Sequence, residues 1–182
     1  TAGAAAILLL QSGGYLNAGE GLTFLLVAFS AASVGFLVWN WQPAKIFMGD
    51  VGSSFIGFAL GLFALLSSSY GLLPIWAWVI LSAVFLVDAT LTLLRRFIRG
   101  DRWFEAHRSH AYQHAALRLR SHQLVTLTVA LINILWLFPL AYLVTIKPHF
   151  GWWIAATAVL PLVGLVWLLD AGLEETGGNR SV

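Results

Sequence analysis

Long apolar stretches alternate with short polar segments along most of the chain. A helix needs about 20 apolar residues to cross the hydrocarbon core of a bilayer. The pattern predicts a short apolar helix near residues 2–11 and five full spans near residues 21–40, 53–70, 73–94, 123–146 and 150–170. The segments between them are rich in Gly, Pro or polar residues, which interrupt helices. The expected fold class is therefore all-α, a polytopic transmembrane helix bundle.

The composition also favours a membrane protein. Hydrophobic residues make up 59% of the 182 residues and charged residues only 10%, whereas a soluble domain carries about 25% charged residues. So few charges argue against a soluble globular enzyme and against a disordered chain. The absence of Cys excludes a disulfide framework, an iron–sulfur site and a thiol nucleophile. Because an apolar run begins almost at Thr1, we expect the chain to be the C-terminal part of a longer protein.

Basic residues are concentrated between Arg95 and Arg120. Seven of the ten Lys and Arg residues lie there, and basic loops of membrane proteins remain on the cytoplasmic side. Threading the spans outward from this segment predicts that the polar loops at 42–52 and 95–122 both face the cytoplasm. Lys147 then lies on the opposite side.

The polar loop at 42–52 is the first candidate site, because it leads directly into an apolar helix. A helix start presents free N–H groups and a positive dipole end, so it favours anions. An Asp there, such as Asp50, can hold Mg²⁺ together with a diphosphate. A purely structural role explains the same residues: Asp50 or Ser53 caps the helix, and Lys45 extends to the membrane interface.

Asp88 is the second candidate, since an ionisable residue within a membrane span is costly. It precedes Arg95 by seven residues and therefore lies about 10 Å below the basic segment at 1.5 Å per residue. Asp88, Thr92 and Arg95 share one helix face by their spacing. A structural ion pair with Arg95 or Arg96 accounts for Asp88 equally well.

Histidines mark the third candidate site. If their segment is helical, His107, His110 and His114 fall on one stripe. Imidazole can bind phosphate oxygens, titrate near neutral pH or coordinate a metal, although three histidines without a cysteine make a weak zinc site. Membrane topology and contact with anionic lipid head groups explain the positive charge of this segment without any chemistry.

Two runs of residues together resemble the polyprenyl-phosphate N-acetylhexosamine-1-phosphate transferases, glycosyltransferase family 4. The runs are Asn40…Pro43-Ala-Lys45-Ile-Phe47-Met-Gly49-Asp50-Val-Gly52-Ser53 and Asp88…Arg95-Arg96…Phe104-Glu105-Ala-His107-Arg108-Ser109-His110. They occur in the family's order. The run His110-Ala-Tyr112-Gln113 stands where the family usually has His-x-His-His, and it resembles the branch that initiates O-antigen more than the peptidoglycan translocase.

The resemblance implies an enzyme with its active site on the cytoplasmic face of the bacterial inner membrane. It would transfer an N-acetylhexosamine 1-phosphate from a UDP-sugar to undecaprenyl phosphate, release UMP, and use Mg²⁺, or Mn²⁺ in its place. Residues 1–170 would be the C-terminal half of the transferase domain and residues 171–182 a polar tail. No nucleic acid partner is implied, and a homodimer is compatible with the family. Because the family's Asp-Asp motif is absent, we expect the chain to be inactive alone.

The resemblance also assigns roles to individual residues. Asp50 is the expected metal ligand and, with His107 and His110, forms the expected catalytic set. The expected substrate-binding residues are Asn40, Lys45, Phe47, Asp88, Arg95, Arg96 and Arg108, with Phe47 placed where the family stacks the uracil ring. Two other classes are alternatives: a transporter or channel subunit with Asp88 as a relay, and a non-catalytic module whose basic loop binds anionic lipids.

Overall fold

A computed structural model describes residues 1–11, 17–99 and 111–169, and these residues contain helices and no strand. The helices are α1 (Ala2–Gln11), α2 (Asn17–Asn40), α3 (Gly49–Ser69), α4 (Ile75–Leu81), α5 (Ala83–Arg99), α6 (Ala111–Leu119), α7 (His122–Ile132), α8 (Phe138–Ile146) and α9 (Gly151–Leu168). A π-helical turn, Asn133–Leu137, joins α7 to α8, and a 3₁₀ turn, Pro148–Phe150, precedes α9. The all-α prediction is confirmed.

Four helical segments among the described residues are long and apolar enough to cross a membrane: Gly19–Asn40, Gly49–Ser69, His122–Ile146 and Pro148–Leu168. They correspond to four of the five predicted full spans. A fifth span is present if α4 and α5 are counted as one broken span. The chain is therefore a multi-pass membrane protein, as its composition indicates.

The span predicted over residues 73–94 is divided into α4 and α5, because the helix breaks at Ser82. Neither Gly nor Pro marks the break, and apolar residues continue on both sides of it, so hydropathy gives no sign of it. The carbonyl oxygen of Leu81 accepts a 3.1 Å hydrogen bond from the hydroxyl of Thr1. A residue that is distant in sequence thus satisfies a backbone group at the end of α4.

The span His122–Ile146 is continuous, but its backbone widens into the π-helical turn near its middle. Pro139 follows this turn and has no N–H to donate to the carbonyl oxygen of Leu135. We attribute the local change in hydrogen-bond pattern to this missing donor, since π turns accommodate such interruptions within helices.

Two compact units make up the chain, and the first consists of Thr1–Leu81 and Phe138–Ala155. In this unit α1 packs against α2 and α4, and α4 packs against α8. Ala77 in α4 has no exposed surface, and such small residues allow helices to approach closely. The indole N–H of Trp78 donates a 2.7 Å hydrogen bond to the buried hydroxyl of Ser67, so both buried polar groups have partners.

The second unit consists of Ser82–Leu137 and Ala156–Val182, of which 100–110 and 170–182 lie outside the described residues. Here α6 packs against α5 and α7. The indole N–H of Trp136 donates a 3.4 Å hydrogen bond to the carbonyl oxygen of Ala158. This bond connects the π-helical turn to α9.

Candidate active site

The loop at residues 41–48 folds back onto the end of α2. The side-chain amide of Asn40 donates a 2.7 Å hydrogen bond to the carbonyl oxygen of Ile46. The backbone N–H of Lys45 donates a 2.9 Å hydrogen bond to the carbonyl oxygen of Trp39. The ammonium group of Lys45 also lies 5.3 Å from the centre of the Trp39 ring, within the range of a cation–π contact. Two predicted site residues therefore fix the shape of this loop.

The loop enters α3 through a glycine with left-handed backbone geometry. Gly49 has φ +66°, a conformation that strains residues with a Cβ atom. The Gln42–Pro43 peptide bond in the same loop is cis. The glycine thus has a conformational role at the point where the chain turns into the helix.

Asp50 lies in the first turn of α3 with its side chain exposed. The residue at the N-cap position is Met48, and no side-chain cap hydrogen bond forms there. The hydroxyl of Ser53 instead donates a 3.0 Å hydrogen bond to the backbone carbonyl oxygen of Asp50. The predicted cap by Asp50 or Ser53 is therefore wrong, because the helix begins at Gly49 and both residues lie inside it. The start of α3 keeps its electropositive backbone end without a side-chain cap.

The side chain of Phe47 is 84% exposed and lies three residues before Asp50. Phe29, by contrast, packs edge-to-face against Phe63 at 5.6 Å between ring centres. An aromatic ring with exposed faces can stack on a planar group. The loop therefore places a stacking surface and a carboxylate near the same helix start.

Within α5, Asp88 and Thr92 share the helix face that their spacing predicts. The hydroxyl of Thr92 donates a 3.3 Å hydrogen bond to a carboxylate oxygen of Asp88, and Thr92 is fully buried. Arg95 and Arg96 are half-buried. The guanidinium of Arg95 lies 5.2 Å from the centre of the Trp167 ring.

Asp88 also lines a cavity of about 200 Å³ within the second unit. Apolar side chains of α5, α7 and α9 form most of its wall, and Tyr112 and Thr128 contribute hydroxyl-bearing side chains. The cavity gives Asp88 apolar surroundings within the span, where an ionised carboxylate is costly.

Three predicted site residues, His107, Arg108 and His110, lie outside the described residues. Within 1–11, 17–99 and 111–169, no group of three His, Cys, Asp or Glu side chains could hold a metal ion. Asp50 can offer one carboxylate. Mg²⁺ is commonly held by one or two carboxylates together with substrate phosphates, so this donor fits a metal that binds with its substrate.

The structure brings two further residues, Arg118 and Trp167, to the end of α9. Besides the contact of Trp167 with Arg95, Arg118 donates a 3.2 Å hydrogen bond from Nη1 to the carbonyl oxygen of Leu168. Neither residue was predicted from the sequence, because the partners of each contact lie far apart in the chain. No spacing rule predicts such a pair.

Fold and site together define a multi-pass helical membrane protein whose polar loop carries an exposed carboxylate into an apolar span. Residues 1–68 match the model of glycosyl transferase family 4. The part of the chain that carries the first motif therefore matches this family, and the resemblance noted from the sequence is confirmed.

Curated relatives include two kinds of transferase. The probable undecaprenyl-phosphate N-acetylglucosaminyl 1-phosphate transferase of Bacillus subtilis is 33% identical over 105 residues, which are 57% of this chain and 29% of that protein. The phospho-N-acetylmuramoyl-pentapeptide-transferase of Bacteroides fragilis is 39% identical over 93 residues, 48% of this chain and 21% of that protein. The enzyme of that name from Chlorobium luteolum is 34% identical over 137 residues, 73% of this chain and 36% of that protein.

The chain thus spans from 21% to 36% of the length of these three relatives. No solved structure shows significant similarity to it. The relatives differ in the sugar that their names specify.

Proposed function

We propose that the chain takes part in the transfer of an N-acetylhexosamine 1-phosphate from a UDP-sugar to undecaprenyl phosphate, with release of UMP. The observation that carries the proposal is the loop at 41–48, which leads exposed Phe47 and Asp50 to the uncapped start of α3. The names of the relatives support the acceptor and the reaction class. The reaction would take place on the cytoplasmic face of the bacterial inner membrane and would initiate an O-antigen-like polysaccharide.

In the first unit, the loop and the start of α3 would bind the nucleotide end of the donor. Phe47 would stack on the uracil ring, because its ring is exposed. Asp50 would hold Mg²⁺, or Mn²⁺ in its place, and such an ion would neutralise charge on the diphosphate. Lys45 would contact a phosphate oxygen, and Asn40 would orient the loop for these contacts.

In the second unit, the basic residues and histidines would bind phosphate or sugar. The expected contacts come from Arg96, Arg108, His107 and His110, and Asp88 would orient polar groups near them. Phosphoryl transfer depends mainly on alignment and on neutralising developing charge. An oxygen of the lipid phosphate attacks the sugar-bound phosphorus, and the bond to UMP breaks. Because the attacking phosphate is already anionic, the histidines would serve binding first and proton transfer second.

An assay with two kinds of donor tests the proposal. Membranes that contain the full-length protein are incubated with undecaprenyl phosphate, Mg²⁺ and either a labelled UDP-amino-sugar or UDP-MurNAc-pentapeptide. We expect a labelled lipid product and UMP from a UDP-amino-sugar such as UDP-GlcNAc.

Each other outcome contradicts a defined part of the proposal. A product formed only from UDP-MurNAc-pentapeptide overturns the O-antigen branch but keeps the reaction class. The absence of product from every donor overturns the transferase. Proteoliposome flux that depends on Asp88 without nucleotide release would then support a transporter.

A further inference from the structure

Two arginines from different helices hold the C-terminal end of α9. The Arg95 guanidinium lies 5.2 Å from the centre of the Trp167 ring, and Arg118 donates a 3.2 Å hydrogen bond to the carbonyl oxygen of Leu168. Arg95 lies about one turn before the end of α5, and Arg118 lies in the last turn of α6. We call these four residues the α9 anchor.

Each contact of the α9 anchor has an independent physical basis. The last carbonyl groups of a helix lack intrahelical partners, and a cation near them also interacts favourably with the helix dipole. Arg118 meets both conditions at Leu168. A guanidinium can interact favourably with an indole face, and that of Arg95 lies over the Trp167 ring.

The position of the α9 anchor in the chain suggests its role. The helices that it joins, α5 and α6, are the two helices connected by residues 100–110. That segment contains His107, Arg108 and His110. The two contacts therefore hold the two helices that flank this segment in the chain to one end of α9.

We infer that Arg95 and Arg118 are positioning residues, which act through Trp167 and the Leu168 carbonyl to hold the helices that flank the histidine segment. Arg95 thereby acts on another side chain of the protein rather than on the substrate. The expected change in KM rests on the proposed function, whereas the expected change in amide exchange does not.

A matched pair of variants in the full-length protein tests the kinetic consequence. Trp167→Leu removes the stacking partner of Arg95, and Trp152→Leu removes a Trp of similar exposure, 61% against 64%, from the other end of α9. We expect Trp167→Leu to raise the KM for the UDP-sugar about fivefold, from the loss of one cation–π contact. The kcat of Trp167→Leu should change less than its KM. Trp167→Phe keeps an aromatic ring and should have a KM close to that of the wild type. Trp152→Leu should keep the wild-type KM.

Two sets of variants test whether Arg95 and Trp167 act as one unit, and whether Trp167 affects KM through His107. Arg95→Gln combined with Trp167→Leu should raise KM by less than the two single changes would together, because the two residues share one contact. In a His107→Ala protein, Trp167→Leu should have little further effect. Additive effects in both sets would contradict the inference.

Hydrogen exchange provides a measurement that needs no activity. In the full-length protein, Trp167→Leu and Arg118→Gln should speed amide exchange in residues 95–99 and 111–118, whereas Trp152→Leu and Arg118→Lys should not. Unchanged exchange and unchanged KM in Trp167→Leu would overturn the inference.

If Trp167→Leu fails to insert into the membrane, Arg95→Gln is compared with Arg95→Lys by the same two measurements. A wild-type protein without transferase activity would overturn the proposed function. Amide exchange would still test whether the α9 anchor holds α5 and α6.

Discussion

The side-chain amide of Asn40 donates a 2.7 Å hydrogen bond to the carbonyl oxygen of Ile46 and closes the loop between α2 and α3. The bond joins the last residue of one span to the residue just before Phe47. The shape of the candidate nucleotide site therefore depends on a side chain that sequence analysis assigned to substrate binding.

Replacing Asn40 with Asp should weaken binding of the UDP-sugar. The new side chain has no N–H donor and would face a carbonyl oxygen, so the loop would open. A lost hydrogen bond of about 1 kcal/mol corresponds to roughly a fivefold rise in KM. Kinetics of the full-length protein measure this change. Asn133→Asp is the matched control, since Asn133 also donates to a backbone carbonyl oxygen, that of Val129, at 2.9 Å. An equal rise in KM in both variants would contradict a role specific to the loop.

Asp50→Asn should reduce transfer by about 100-fold or more, because the variant keeps the shape of the side chain and loses the charge that would hold the proposed metal. Glu20→Gln is the matched control, since Glu20 is an exposed carboxylate in the first turn of α2. Initial rates over a range of Mg²⁺ concentrations should show that only Asp50→Asn loses activity at every concentration. Near-normal turnover in Asp50→Asn would remove this residue from the metal site.

Phe47→Leu should raise the KM for the UDP-sugar roughly tenfold, since stacking of a base on an aromatic ring contributes about 1–3 kcal/mol. Phe47→Tyr keeps the ring and should stay close to the wild type. Phe58→Leu serves as the control, because Phe58 is 70% exposed on α3 and lies outside the loop. If Phe47→Leu and Phe58→Leu behave alike, the ring of Phe47 has no specific contact with the nucleotide.

Gly151→Ala should lower the Tm of the protein, because a Cβ atom at this position would overlap the indole ring of Trp76. Trp76 also packs edge-to-face against Trp152 at 5.7 Å between ring centres, which limits its movement. Overpacking of this kind costs about 1–3 kcal/mol. Thermal unfolding in detergent measures the change.

The control for this prediction lies in the same helix. Gly164 of α9 has open space where a Cβ atom would be added, and Ala is about 0.5–1 kcal/mol more favourable than Gly inside a helix. Gly164→Ala should therefore keep or raise the Tm. A lower Tm in Gly164→Ala than in Gly151→Ala would show that contact with Trp76 is not the cause.

Sequence patterns predicted the helical spans well and the details of the sites less well. The spans at 21–40 and 123–146 agree with α2 and with His122–Ile146 within a few residues, except that α2 begins earlier, at Asn17. The break at Ser82 and the missing cap at Met48 were not predicted. Both depend on where the backbone turns, and the apolar composition is the same with or without the turn.

The two motifs also contain features that the sequence predicts and features that it does not. Their residue types indicated anion and metal chemistry, because carboxylates, amides and basic side chains have the same preferences in any fold. The sequence did not predict the partners that Asn40 and Arg95 have within the protein: Asn40 binds the Ile46 carbonyl oxygen, and Arg95 lies over Trp167. A side chain that can bind a ligand can also bind its own protein, and the sequence does not distinguish the two.

Local composition alone was enough to predict membrane-spanning helices joined by polar loops. The reason is that lipid offers no hydrogen bonds to the backbone, so an apolar run of about 20 residues must satisfy its own groups as a helix. Which helix ends meet is evident only from the folded chain. The bond from Arg118 to Leu168 joins residues 50 positions apart, and such contacts depend on how helices pack rather than on any local pattern.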